Sequence, residues 1–137
     1  MPFRSGRRGH LQVITVPLTL TANSTTRAVA YVGSTGRTGR VRWASVGAQS
    51  APASTLGTIL LTLTKANASG TTNLLAAANF DLESVVADVP STQTLSTTAG
   101  ALDVAATDVI RAAVASNNAD ATGAVGLALT IGIEVYP

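Results

Sequence analysis

The sequence predicts an all-β domain: an antiparallel β-sandwich of seven or eight strands. Three observations carry that expectation. Short runs of alternating apolar and polar residues recur along the chain. Clusters of Gly, Asn, Ser and Thr separate them, as turn chemistry requires. Only 74–88 shows any helical spacing, and Asn79 interrupts it. Eight strands in two facing sheets make a jelly roll, so the expected architecture is jelly-roll-like.

The elements follow in order. Residues 1–10 read as a basic, Gly-containing arm, flexible when alone, and 11–137 as one domain. In 11–20, Gln12, Ile14, Val16, Leu18 and Leu20 share one face. Pro17 has no N–H for a ladder, which places that strand at an edge or at a bulge. RAVAYV at 27–32 is the second strand, and the Gly-rich run 33–40 reads as a hairpin loop. RVRWASV at 40–46 is the third, with Val41, Trp43 and Ser45 expected on one face and Arg40, Arg42 and Ala44 on the other. GTILLTLTK at 57–65 is the fourth, and ANASGTTN after it reads as a loop.

Leu74, Ala78, Leu82 and Val85 fall at helical spacing, while Phe80, Leu82 and Ser84 alternate, so 74–88 is a short helical turn or a strand. Residues 92–99 and 109–115 read as strands. The strongest strand is 124–137, where Val125, Leu127, Leu129, Ile131, Ile133 and Val135 share one face. A strand so apolar on one side belongs in the core.

Composition narrows the classes. The 137 residues include no cysteine, which excludes disulfides and Cys-based metal sites. Only 12% of residues are charged, against ~25% in ordinary domains. A surface so poor in charge fits a protein packed against neighbours. No apolar run approaches the ~20 residues of a membrane helix, so no membrane partner is expected. The run 11–20 is interrupted by Thr15, Pro17 and Thr19, unlike a secretory segment. A product made in a cytoplasm and kept there until assembly is the expectation.

Charge is divided along the chain. Arg4, Arg7, Arg8, Arg27, Arg37, Arg40, Arg42 and Lys65 precede Asp81, and no acid does. All seven acids lie from Asp81 onward, opposed only by Arg111. Such a split has three readings: nucleic-acid binding, local neutralisation when strands from both halves mix, or complementary faces between subunits. The cations are few and scattered with no aromatic platform or motif, so no nucleic-acid partner is expected.

No constellation points to catalysis. The single histidine, His10, stands in the expected arm, whereas a triad needs a rigidly held imidazole. Asp81 with Glu83, or Asp103 with Asp108, are available as carboxylate pairs, but exposed strand or turn charges explain them. Asp120 with Asn117 and Asn118 offers oxygens without the spacing of a calcium loop. The glycines of 33–40 lack the Lys-Ser/Thr of a phosphate loop. Asn23-Ser24-Thr25 and Asn67-Ala68-Ser69 match the glycosylation sequon and read as turns. A non-enzyme with no cofactor and no metal is expected. Of the five aromatics, Phe3, Tyr31, Trp43, Phe80 and Tyr136, Trp43 reads as core or interface rather than as a sugar platform.

The run GTILLTLTKANASGTTNLLAAANFDLESV, followed by LDVAATDVIRAAVASNN and AVGLALTIGIEVYP, resembles small structural proteins of tailed bacteriophages. These are capsid decoration (cement) or head-fibre proteins with a jelly-roll fold. The resemblance spans 11–137 and lies in strand order and in phrases such as TDVIRAAVASNN, where Thr107 stands in place of the usual Gly. It implies a virion structural protein on the outer capsid surface. Its partners would be the major capsid protein and copies of itself, as a homotrimer. It supplies no site residue. On the residues themselves, Arg4, Arg7 and Arg8 are the candidates for an acidic capsid surface, and Arg40, Arg42 and Trp43 for a subunit interface. The alternative is a tail-fibre or receptor-binding module that recognises a host glycan.

Overall fold

The computed structural model describes residues 9–53, 57–117 and 124–137. Arg4, Arg7, Arg8, Phe3, Asn118 and Asp120 lie outside the described residues. The strands are β1 (His10–Pro17), β2 (Thr25–Val32), β3 (Thr38–Gly47), β4 (Ile59–Asn67), β5 (Gly70–Asn73), β6 (Phe80–Asp81), β7 (Ser91–Thr92), β8 (Asp103–Val104), β9 (Val109–Ser116) and β10 (Ala128–Tyr136). Every pairing among them is antiparallel.

They form two sheets. The first has the order β1-β10-β3-β7, with β8 also on β3; the second has β2-β9-β4-β5, with β6 also on β4. The pairs are nested: β4 with β5, β3 with β7 and β8, β2 with β9, and β1 with β10. One long antiparallel ribbon, rolled so that successive strand pairs fall in alternate sheets, gives this order. It is the eight-strand jelly roll, with the strand beside β3 broken into β7 and β8.

The core lies between the sheets. Val16, Val41, Ala44, Val46, Leu129, Ile131, Ile133 and Val135 come from the first, and Ala30, Ile59, Leu61, Leu63, Ile110, Ala112 and Val114 from the second. The alternation of β4, β9 and β10 puts every second side chain there, as a one-sided sheet requires. Pro17 ends β1, an edge strand, where its missing N–H breaks no shared ladder.

Four expectations are corrected. The run 33–40 is not a hairpin loop: β2 and β3 belong to different sheets, so it crosses between them. ANASGTTN is not all loop, because Gly70–Asn73 pairs with Thr64–Asn67. Residues 92–99 hold only the end of a two-residue strand, plus a lone bridge from Leu95 to Leu75. On β3, Val41 and Trp43 do not share a face. Gly132 pairs with Trp43 and the next residue, Ile133, with Val41, so Arg42 is an extra residue in the ladder. Such a bulge reverses the alternation: Val41, Ala44 and Val46 are buried, and Trp43 turns to the outer face.

The stretch 74–88 takes both expected forms briefly, as strand β6 and as one 3₁₀ turn at Leu82–Ser84. Leu74, Leu75, Leu82 and Val85 are buried, while Ala78 is exposed. Its apolar spacing marks separate points where a wandering segment meets the core.

Candidate interaction face

The outer face of the first sheet gathers the sequence's interface candidates. The ladder sets Val13 of β1 opposite Gly132 of β10, and Gly132 opposite Trp43 of β3. The indole of Trp43 lies over the bare Cα of Gly132, where a Cβ would collide with Nε1, Cε2 and Cδ1. Leu11 and Val13 stand on the same face, 57% and 58% exposed. Together Leu11, Val13 and Trp43 make an apolar strip across three strands.

A polar rim borders it. Arg42 donates through Nε to Glu134 Oε2 at 3.2 Å and through Nη2 to the Tyr136 hydroxyl at 2.8 Å. Hydrogen bonds to Glu134 and then Tyr136 raise the Arg42 pKa. Tyr136 and then Arg42 in turn hold the Glu134 carboxyl below its usual value. Further along, Arg40 Nη1 meets Asp103 Oδ1 at 2.7 Å. On the other side of the strip, Thr15 and Thr130 hydroxyls lie 3.2 Å apart. Arg40, Arg42 and Trp43 are therefore brought to one face, with both guanidinium groups held in fixed positions by acids of the same chain.

The divided charge is mixed by the fold. Arg40 and Arg42 from the basic half meet Asp103 and Glu134 from the acidic half. Lys65 donates to the carbonyls of Gly100 and Asp103 at 3.0 and 2.6 Å. That is local neutralisation.

A cleft of about 640 Å³ opens at one end of the sandwich, beside Lys65, Asn67, Asp103, Asp108 and Tyr136. Its charged groups are engaged in holding the 99–108 loop. Asp108 is 3% exposed; it accepts from Asn67 Nδ2 on one oxygen and from the Ala105 N–H on the other, both at 2.7 Å. Burial pushes its carboxyl up, but these two hydrogen bonds and the Lys65 charge outweigh it and hold the pKa below the usual value.

The other candidates disperse. His10 opens β1 and is exposed. Asp81 caps the 3₁₀ turn by accepting from the Glu83 N–H at 3.0 Å. Asp103 and Asp108 serve different partners. Of the sequon asparagines, Asn23 sits in a turn with φ +55°, whereas Asn67 is the last residue of β4 and its Oδ1 accepts from the Ser69 N–H of the turn that follows. Among the described residues no three His, Asp or Glu side chains cluster as a metal site would require, and no helix is long and apolar enough to cross a membrane. The strip itself escaped the sequence because its formation depends on the bulge at Arg42. No family model and no curated protein matches the chain.

Proposed function

We propose that this chain is a virion structural protein that decorates a phage capsid, docking on the major capsid protein and on neighbouring copies of itself. The observation that carries the reading is the Leu11–Val13–Trp43 strip with its Arg42–Glu134–Tyr136 rim. Interfaces have this anatomy, an apolar centre inside a polar border, and Trp, Tyr and Arg supply most of their energy. Pairing Arg42 beforehand fixes its rotamer, which lowers the entropy lost on docking. The jelly roll is common among capsid proteins, and that analogy of fold adds support without specifying function.

Light scattering after size exclusion tests it. The expected species is a trimer. Val13→Asp, on an exposed position, should dissociate the trimer while leaving the subunit's circular dichroism spectrum native. A wild-type monomer at all concentrations that also fails to sediment with shells of the major capsid protein overturns the reading. Deleting residues 1–10 tests the arm carrying Arg4, Arg7 and Arg8: occupancy on shells should fall, and unchanged occupancy removes the arm from the proposal.

A second reading rests on the outward position of Trp43. An indole seated over Gly132, with the Tyr136 hydroxyl on the same face, is a surface on which a sugar ring can stack. A glycan array probed with and without calcium discriminates. Saturable binding lost in Trp43→Ala favours a receptor-binding module; no signal leaves the decoration reading alone.

A further inference from the structure

On the opposite side of the molecule, the outer face of the second sheet carries two cations that the charge pairing leaves over. Arg27 of β2 and Arg111 of β9 make no side-chain hydrogen bond or ion pair among the described residues. They line one shallow hollow of about 340 Å³, bordered by threonines of β2, β4 and β5. The register explains its shape. Arg27, Ala113 and Thr62 form one row across β2, β9 and β4, and Arg111 and Thr64 stand in the next row but one. Ala113 and Ala115 are too small to fill the space between the taller residues, so they become its floor.

Diagonal neighbours on a ladder stand about 7–8 Å apart. Side chains rooted at that spacing let both guanidinium groups reach one anion over the hollow, and that anion would offset their mutual repulsion. None of the described lining residues is acidic, and their remaining polar groups are hydroxyls that can donate. We infer that this hollow is an oxyanion-binding site. It would take a sulfate or phosphate group through charge-assisted hydrogen bonds from Arg27 and Arg111, with Thr62 and Thr64 hydroxyls on its flank. The same chemistry is offered by the free inorganic ion and by a sulfated or phosphorylated sugar. The inference is independent of the interaction face, which lies on the other sheet.

The test uses the full chain, following arginine Nε–H signals by NMR. Sodium sulfate, sodium phosphate and glucose 6-sulfate are titrated in turn against sodium chloride at matched ionic strength. The Arg27 and Arg111 signals should shift saturably with the oxyanions and not with chloride. Arg27→Gln and Arg111→Gln should each weaken binding about tenfold, while Arg37→Gln, on the β2–β3 crossing, should leave it unchanged. Tighter binding of glucose 6-sulfate identifies a sugar-borne group, and equal binding the free ion. Shifts that match chloride, or equal weakening by Arg37→Gln, overturn the site. So do Arg27 and Arg111 signals that move on Asp120→Asn but not on adding sulfate, because the anion would then be the chain's own.

Discussion

Asp108 shows how one buried carboxylate can hold a loop cluster together. Its side chain accepts from Asn67 and Ala105, its N–H donates to the Ala105 carbonyl at 3.1 Å, and its own carbonyl accepts from the Gly33 N–H at 2.9 Å. It therefore ties the β2–β3 crossing, the β4–β5 turn and the 105–108 turn to one point. Asp108→Ala removes two charge-assisted hydrogen bonds, whose donors belong to exposed residues and can turn to water, and should cost about 2–4 kcal/mol, at roughly 1–2 kcal/mol for each. Urea unfolding at neutral pH measures it. The depressed pKa fixes the sign of the pH effect. The stabilisation is complete above the unfolded aspartate value of about 3.9 and is lost as pH falls through the lower folded value. In Asp108→Asn the fall in urea midpoint over that acidic window should be shallower than in wild type. Gly33 abuts the same cluster, because a Cβ there would strike the backbone carbonyls of Ala105 and Ala106. Backbone tethered by Asp108 cannot yield cheaply, so Gly33→Ala should cost about 1–3 kcal/mol by overpacking, read as a lower melting temperature.

The bulge in β3 makes a sharper prediction about an element. Without Arg42, Val41 and Trp43 would be neighbours, and the order Val41 in, Trp43 out, Ala44 in would alternate without interruption against Ile133, Gly132 and Ile131. Deleting Arg42 should therefore keep the fold, with a native circular dichroism spectrum, and lose only its bonds to Glu134 and Tyr136. Deleting Ala44 should unfold the protein or sharply lower its melting temperature, because the strand must either keep the bulge, turning Ser45 in and Val46 out, or lose it and drive Trp43 into the buried place of Ala44. Equal damage from both deletions would refute this account of the register. The same element shows what the sequence could and could not disclose. Strands β1, β2, β3, β4, β9 and β10 were legible because each buries one face and so repeats every second residue. The bulge was not, since nothing in RVRWASV says which of its residues is the extra one; that is decided by β10 across the ladder. Strand β5 is written in Gly, Thr and Asn, the vocabulary of turns, and forms only because β4 offers an edge. Strands β7 and β8 have two residues each, too few for any period. That Arg27 and Arg111 find no charge partner among the described residues was equally hidden, because charge pairing is a property of the assembled sheets.

At the scale of the whole molecule, nested pairing brings the two ends of the chain together: His10 lies opposite Val135 and Pro17 opposite Ala128. Such contacts form only after long loops close, and domains dominated by them refold in milliseconds to seconds. The single tryptophan, Trp43, sits on Gly132 beside this closing pair, so its fluorescence should follow that phase in stopped-flow refolding. Removing residues 1–17 strips β1 from β10, uncovers an edge that includes Ile131 and Ile133, and takes Val16 from the core. A bare edge of that length invites pairing with another chain, so the shorter protein should aggregate in a concentration-dependent way. A soluble, cooperatively folding 18–137 fragment would mean that the ribbon closes without its outermost pair. The Leu11–Val13–Trp43 strip would then depend on a strand the fold does not need, and selection on the strip rather than on stability would have to explain why β1 is there.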